Sequence, residues 1–276
     1  MGTLLIFNLL KKYNLRPSKR LGQNFLIDKS VLKKIIDTAD LTPQDIILEI
    51  GPGLGILTLE LAKMAKKVIA VEKDKKICEI LKRVLIARDV RNVEIVNQDI
   101  LKITSNFFHD RDKKWTYKLV ANLPYYITSP VIRKFLEIKN KPSLMILMVQ
   151  KEVAQRICAE PPKMSLLSVA VQFYGSPEII NYVSKSSFYP QPKVDSAIIK
   201  IIPRPIPKID TEKFFKIIKA GFSSKRKFLI NNLSRELKIE NCKLKIVFDQ
   251  IGLSQKLRAE NLSINDWLKL FYSIFL

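Results

Sequence analysis

Short β-branched runs alternate with stretches of helical periodicity along the first half of the chain. Asp45–Ile50 reads as a strand, Ile56–Lys67 as a helix, and Val68–Val71 as a buried strand ending at Glu72. The alternation continues with a helix near Lys75–Ile86, strands at Val93–Val96 and Lys118–Ala121, a helix near Pro130–Ile138 and a strand at Leu144–Val149. Strand, turn, helix, strand is a βαβ unit with a right-handed crossover, so the pattern predicts a doubly wound, mainly parallel α/β sheet. Residues 150–165 read as a helix closed by Pro161-Pro162, and Ser165–Tyr174 as another. Glu178–Val183 and Ala197–Ile202 read as a final strand pair. Pro203, Pro205 and Pro207 punctuate a linker, and Thr211–Leu276 is helical in period throughout. The expected organisation is a sheet domain over 1–207 and a small all-helical domain over 208–276.

Charge narrows the class of partner. Lys and Arg exceed Asp and Glu to give +22 over 276 residues, which points to a polyanion, nucleic acid first. Residues 208–276 carry +7, more per residue than the rest. A hydrophobic fraction of 47% supports a real core. One histidine, His109, argues against histidine-based metal sites and histidine-dependent triads, and no metal is expected. Cys78, Cys158 and Cys242 lie far apart without a C-x-x-C pair and read as reduced thiols, mostly filling the core, in a cytoplasmic setting. His109, Trp115 and Trp267 are expected to be structural. No apolar run approaches the roughly 20 residues needed to span a bilayer, so no membrane is expected. Met1–Ile27 carries five basic residues and no acidic one, fitting a basic arm for a phosphate backbone or a weak targeting signal.

Of eight glycines, three fall within five positions, Gly51, Gly53 and Gly55, in a strand-to-helix turn. Such a turn lets backbone approach a cofactor closely, with a helix N-terminus behind it. Ile56 stands where a dinucleotide fingerprint has its third glycine. The run Glu49-Ile-Gly-Pro-Gly-Leu-Gly55 instead resembles the nucleotide-binding turn of S-adenosylmethionine-dependent methyltransferases. On that resemblance Glu72, at the end of the second strand, accepts both ribose hydroxyls. Asp99, after the third strand, accepts from the adenine amino group, although alone it fits a helix cap equally well.

After the fourth strand comes Asn122-Leu-Pro-Tyr125-Tyr126, where an open parallel sheet places its ligands. It resembles the turn of methyltransferases acting on exocyclic amines. The lone pair of an adenine amine is delocalised into the ring. Accepting its two hydrogens on the Asn122 side-chain oxygen and the Leu123 carbonyl pyramidalises the nitrogen toward the methyl donor. Pro124 fixes the turn, and Tyr125 offers a ring for the base.

Taken in order, these segments resemble the ribosomal RNA small-subunit adenine N6,N6-dimethyltransferase family. Leu21-Gly-Gln-Asn-Phe-Leu26, Phe188-Tyr-Pro-Gln-Pro-Lys-Val-Asp-Ser196, Phe222–Leu229 and Arg258-Ala-Glu-Asn-Leu-Ser263 complete the match over nearly the whole chain. The resemblance implies a Rossmann-like methyltransferase that dimethylates two adjacent adenosines during small-subunit biogenesis. It implies S-adenosyl-L-methionine as cofactor, and small-subunit rRNA in the assembling small ribosomal subunit as partner of a monomeric, cytoplasmic enzyme. Asn24 and Leu26 then contact the cofactor with Gly51, Gly53, Glu72, Asp99 and Asn122, while Phe188 forms a second wall of the base pocket opposite Tyr125. Lys225, Arg226 and Lys227, with Lys213, Lys216 and Lys219, fit a basic helical face for rRNA phosphates, or a merely solvated one. Gln98 and Tyr126 depart from the family pattern, standing where a glycine and a small polar residue are commoner. Two other readings stay open: a large-subunit rRNA methylase of the macrolide-resistance type, and a non-catalytic assembly or transcription factor on the same fold.

Overall fold

The computed structural model describes residues 2–18, 21–104, 107, 109, 110, 113, 114 and 116–275. Trp115, Lys19 and Arg20 lie outside these, as does the side chain of His109. By contacts the chain divides into two compact units, Met1–Ala154 with Gly175–Pro203, and Gln155–Tyr174 with Arg204–Leu276.

The first unit opens with α1 (Gly2–Lys12), followed by the short strand β1 (Phe25–Leu26) and α2 (Lys29–Ala39). Then come β2 (Ile46–Ile50), α3 (Ile56–Met64), β3 (Lys67–Glu72), α4 (Lys75–Ala87) and β4 (Val93–Asn97). A minor hairpin, β5 (His109–Asp110) and β6 (Lys113–Lys114), precedes β7 (Tyr117–Asn122), α5 (Thr128–Glu137), β8 (Leu144–Gln150) and α6 (Lys151–Ile157). After α7 (Leu166–Tyr174) the chain returns with β9 (Gly175–Val183), β10 (Phe188–Tyr189) and β11 (Ser196–Pro203).

The main sheet has seven strands in the order β4-β3-β2-β7-β8-β11-β9. β4 to β8 are parallel, and β11 runs antiparallel to both β8 and β9. The chain steps outward from β2 through β3 to β4, then crosses back to β7 and steps the other way to β8. Right-handed crossovers leading in opposite directions put their helices on opposite faces, and a crevice opens at the carboxyl ends of β2 and β7. On one face Val31 and Ile35 of α2 and Leu57 and Leu61 of α3 pack on Ile47, Val68, Val120 and Ile146. Leu81 and Leu85 of α4 pack on Ala70.

The start of the N-terminal segment is more than a basic arm. It forms α1, whose Ile6, Leu9 and Leu10 bury against Ile77, Ile80 and Val84 of α4 and against Phe25 and Leu54. Apolar residues at i, i+3 and i+4 make one face of this helix, and burying that face stabilises it more than its length could.

The second unit comprises the helices α7, α8 (Thr211–Gly221), α9 (Leu229–Leu237), α10 (Asn241–Gln250) and α11 (Ile264–Phe275), with residues from Gln155 onward. Gln155–Tyr174, which the sequence reading placed in the sheet domain, therefore groups with the helices. Helix α6 stops at Ile157, well short of Pro161, and Gln172 donates its amide to the carbonyls of Ile157 and Ala159 beyond it (3.1 and 2.8 Å). Phe173 stacks on Phe214, with ring centroids 4.7 Å apart. Trp267 is fully buried in this unit, filling the space beside Gly221, where a β-carbon would lie 2.4 Å from the indole. Of the cysteines only Cys78 is buried; Cys242 is exposed and so fills no core. Among the described residues no helix is long and apolar enough to cross a membrane, and no cluster of three His, Cys, Asp or Glu could hold a metal.

Candidate active site

The crevice at the switch point is lined by Asn24, Leu26, Gly51, Gly53, Glu72, Asp99, Asn122, Leu123 and Tyr125 together. These come from five separate stretches of sequence, and the topology alone assembles them.

The glycine turn is shaped by close approach. Gly53 and Gly55 both have positive φ, at 56° and 86°. A β-carbon on Gly53 would meet the Phe25 ring at 3.1 Å, and one on Gly55 would meet Leu81 at 2.5 Å. Any side chain at these two positions would push the turn off α4 and off the β1 segment.

Two carboxylates stand behind the turn. Glu72, at the end of β3, accepts from the backbone N–H of Asp74 at 2.9 Å. Burial raises its pKa, while the amides of Asp74, Gly53 and Lys73 hold the rise in check. Glu49, at the end of β2, is only 1% exposed, and its Oε2 has no hydrogen-bond partner among the described residues. Burial pushes its pKa up to about 8; nearby Thr58 eases the charge and the Glu72 carboxylate adds to the rise. In sequence Glu49 stands only as the start of the glycine motif. The signal for its buried role is its place on an otherwise apolar strand, Ile46-Ile-Leu-Glu-Ile50.

Asp99 is held as its helix-cap reading foresaw. It accepts from the Leu101 N–H at 3.0 Å, capping the 3₁₀ turn Ile100–Lys102, and pairs with Lys73 at 2.9 Å. The Lys73 ammonium keeps its pKa below the usual range. It still lines the crevice with lone pairs to spare.

Opposite, the Asn122 amide donates to the Asn24 carbonyl at 3.1 Å, leaving its Oδ1 without a partner among the described residues. The Tyr125 and Ser196 hydroxyls share a hydrogen bond of 2.7 Å. The segment carrying Asn24 is itself strapped down. β1 pairs antiparallel with β10, Phe25 opposite Tyr189 and Leu26 opposite Phe188. Ile27 donates to the Ser187 carbonyl at 2.9 Å, and the Ser187 hydroxyl donates to Asp28 at 2.9 Å. Asp28 in turn caps α2 through the Ser30 and Val31 amides.

Phe188 is not brought into the crevice. It is 3% exposed, packed in the cluster of Leu26, Val31, Val183 and Ile198, because its strand pairing with Leu26 turns its side chain into the core. Nor do Lys225, Arg226 and Lys227 sit on a helix: they occupy the exposed turn between α8 and α9, while Lys213, Lys216 and Lys219 line the exposed side of α8.

Residues 14–275 match the family described as Ribosomal RNA adenine dimethylase. The chain belongs to that family. The dimethylase is 45% identical over 265 residues to the Ribosomal RNA small subunit methyltransferase A of Dehalococcoides mccartyi (strain CBDB1), covering 95% of this chain and 90% of the relative. It is 42% identical to the protein of the same name from Clostridioides difficile (strain 630), over 94% of this chain and 91% of the relative. Its fold matches the crystal structure of a dimethyladenosine transferase from Plasmodium falciparum with a TM-score of 0.78 at 30% identity, over 89% of this chain and 95% of that one. It matches that of the 23S rRNA methyltransferase ErmE with a TM-score of 0.75 at 27% identity, over 92% and 100%. The dimethylase uses S-adenosylmethionine, and the crevice fits that molecule. A ligand bearing a sulfonium and an ammonium against one carboxylate is a net cation, and the site offers it Glu72, Asp99 and the unpartnered Glu49 oxygen.

Proposed function

We propose that this dimethylase modifies N6 of two adjacent adenosines in small-subunit rRNA, working as a monomer on the assembling subunit in the cytoplasm. The observation that carries the reading is the Asn122 amide, fixed by the Asn24 carbonyl at the mouth of the crevice that holds the glycine turn and Glu72. With its NH₂ end engaged, the side chain can only present Oδ1 outward, the end that accepts a hydrogen from an amine. S-adenosylmethionine, when bound, supplies an electrophilic methyl group.

The chain's own residues supply the rest. Asn122 Oδ1 and the Leu123 carbonyl accept the two N6 hydrogens and draw the nitrogen toward tetrahedral geometry, freeing its lone pair from the ring. Tyr125, steadied through Ser196, offers a face to the base. With the methyl donor bound, transfer to the lone pair would make N6 cationic. Asn122 Oδ1 and the Leu123 carbonyl would stabilise that charge until one N6 proton passes to solvent, restoring a neutral amine. The monomethylated amine keeps one hydrogen for the same contacts, so a second round uses the same geometry.

Phe188 serves the base wall from behind, packed on Leu26 and holding the β1 segment in place. Lys225, Arg226 and Lys227 dock rRNA phosphates. Small-subunit specificity is favoured over the large-subunit alternative by relatives at 41–45% identity bearing the small-subunit name, against 27% for ErmE. The reading is tested by methyl transfer to under-methylated small and large subunits with mapping of the modified nucleotides. Modification of two neighbouring small-subunit adenosines is expected. Transfer confined to the large subunit, or none to either, would overturn it.

A further inference from the structure

Two tyrosines follow Pro124, and the structure separates them. Tyr125–Ile127 form one turn of 3₁₀ helix, in which successive side chains point about 120° apart. Tyr125 turns toward Ser196 and is tied there by its hydroxyl. Tyr126 therefore cannot face the same way, and it is 54% exposed while still lining the crevice. Its hydroxyl has no partner among the described residues. On one side its ring comes close to Gly22, where a β-carbon would stand 3.6 Å from Cδ1. Of the other rings lining the crevice, Phe25 is buried and Tyr125 is tied to Ser196.

We propose that Tyr126 is a further substrate-contacting residue, whose exposed ring stacks on the nucleobase flanking the adenine held at Asn122. The proposal rests on the RNA-adenine reading of the site. Packing beside Gly22 still leaves the ring 54% exposed, and a flat apolar face beside a single-strand site is a surface on which any base stacks, whatever its sequence. Tyr125 and Tyr126, consecutive but pointing apart, then contact consecutive nucleotides: the first the target, the second its neighbour.

The test uses under-methylated small subunits with the parent enzyme, Tyr126→Phe, Tyr126→Leu and Tyr126→Ala. Each variant is followed by kcat/KM for the subunit, by calorimetric affinity for S-adenosylmethionine and by thermal melting. Stacking predicts a loss of about five- to 150-fold in kcat/KM for Tyr126→Ala. Tyr126→Leu, apolar but without a π-face, should recover only part of it. Tyr126→Phe should match the parent, and neither cofactor affinity nor melting should change. A Tyr126→Ala enzyme within about twofold of the parent, or one whose loss follows cofactor affinity or melting instead, overturns the proposal. A parent enzyme that modifies no small-subunit adenosine overturns the proposed function, an outcome distinct from either.

Discussion

The Asn122 side chain donates to the backbone carbonyl of Asn24 across 3.1 Å, joining the end of β7 to a segment 98 residues earlier. This one bond decides which end of the amide faces the substrate, and so makes Asn122 an acceptor. Asn122→Ala removes the acceptor without touching the glycine turn or Glu72. Transfer should fall by at least about a hundredfold, the usual loss when one oriented polar contact to a developing charge is deleted. Cofactor affinity should stay within about tenfold, or 1.4 kcal/mol. Single-turnover assays and calorimetry on the same preparation separate the two effects, and near-parental turnover would show that the amine is held elsewhere.

Glu72 should behave in the opposite way. Its carboxylate is held by the Asp74 amide and faces the crevice, where two ribose hydroxyls would give it charge-assisted contacts. Glu72→Ala should cost about 1.5–3 kcal/mol of cofactor affinity, roughly ten- to 150-fold. Saturating cofactor should then restore much of the turnover. Unchanged affinity would remove Glu72 from the ribose.

Glu49 links cofactor binding to protons. Its pKa lies near 8 in the folded enzyme, against an ordinary value of 4.5. The folded state therefore holds a proton that the unfolded chain releases. The sign follows: the stability is fully present below 4.5 and is lost as pH rises toward 8, at up to about 1.4 kcal/mol per pH unit. Glu49→Gln should flatten that dependence, measured by denaturant unfolding from pH 5 to 8.5. A cationic ligand favours the ionised carboxylate, so the parent should release a proton on binding S-adenosylmethionine near neutral pH. Calorimetry in buffers of different ionisation enthalpy reads this directly. Parallel unfolding profiles for parent and variant would contradict it.

Phe188 separates packing from stacking. Buried against Leu26 and Val31, it should cost about 3–5 kcal/mol of stability when cut to alanine. Leucine largely refills that volume, so Phe188→Leu should recover most of the stability, and the turnover with it. Recovered stability without recovered turnover would place the ring against the base after all.

What the sequence disclosed, and what it withheld, follows from the range of the interactions. The parallel strands, the glycine turn and the Asn122–Tyr125 turn are written in local periodicity and spacing, and they fold as read. Phe188 was misplaced because its orientation is set by pairing with Leu26, 162 residues away, through strands of only two residues each. Nothing local marks such short strands. Gln155–Tyr174 joins the helical unit through contacts such as the Met164 amide with the Glu260 carbonyl at 3.0 Å, again far apart in sequence. Helix α1 is a different case. The spacing of Ile6, Leu9 and Leu10 is local, but the surface that covers them, Ile77, Ile80 and Val84, comes from a helix far along the chain.

The exposed turn Lys225-Arg226-Lys227 gives the helical unit its test. No acidic side chain forms an ion pair with these three among the described residues, whereas Lys213 on the preceding helix α8 pairs with Asp210 at 3.3 Å. Cations left unpaired on a turn are free to meet phosphates, and phosphate contacts position an enzyme without reading bases. Each contact contributes roughly 0.7–0.9 to the slope of log affinity against log salt. Replacing all three by alanine should therefore weaken binding to under-methylated small subunits and flatten the salt dependence by about two to three. Cofactor affinity should not change, since the glycine turn and both glutamates belong to the other unit. The three residues are exposed and support no core, so melting should hold as well. Affinity measured across a salt series for parent and triple variant decides the matter. Identical slopes would show the turn to be only solvated and move the docking surface to the basic residues preceding Gln23.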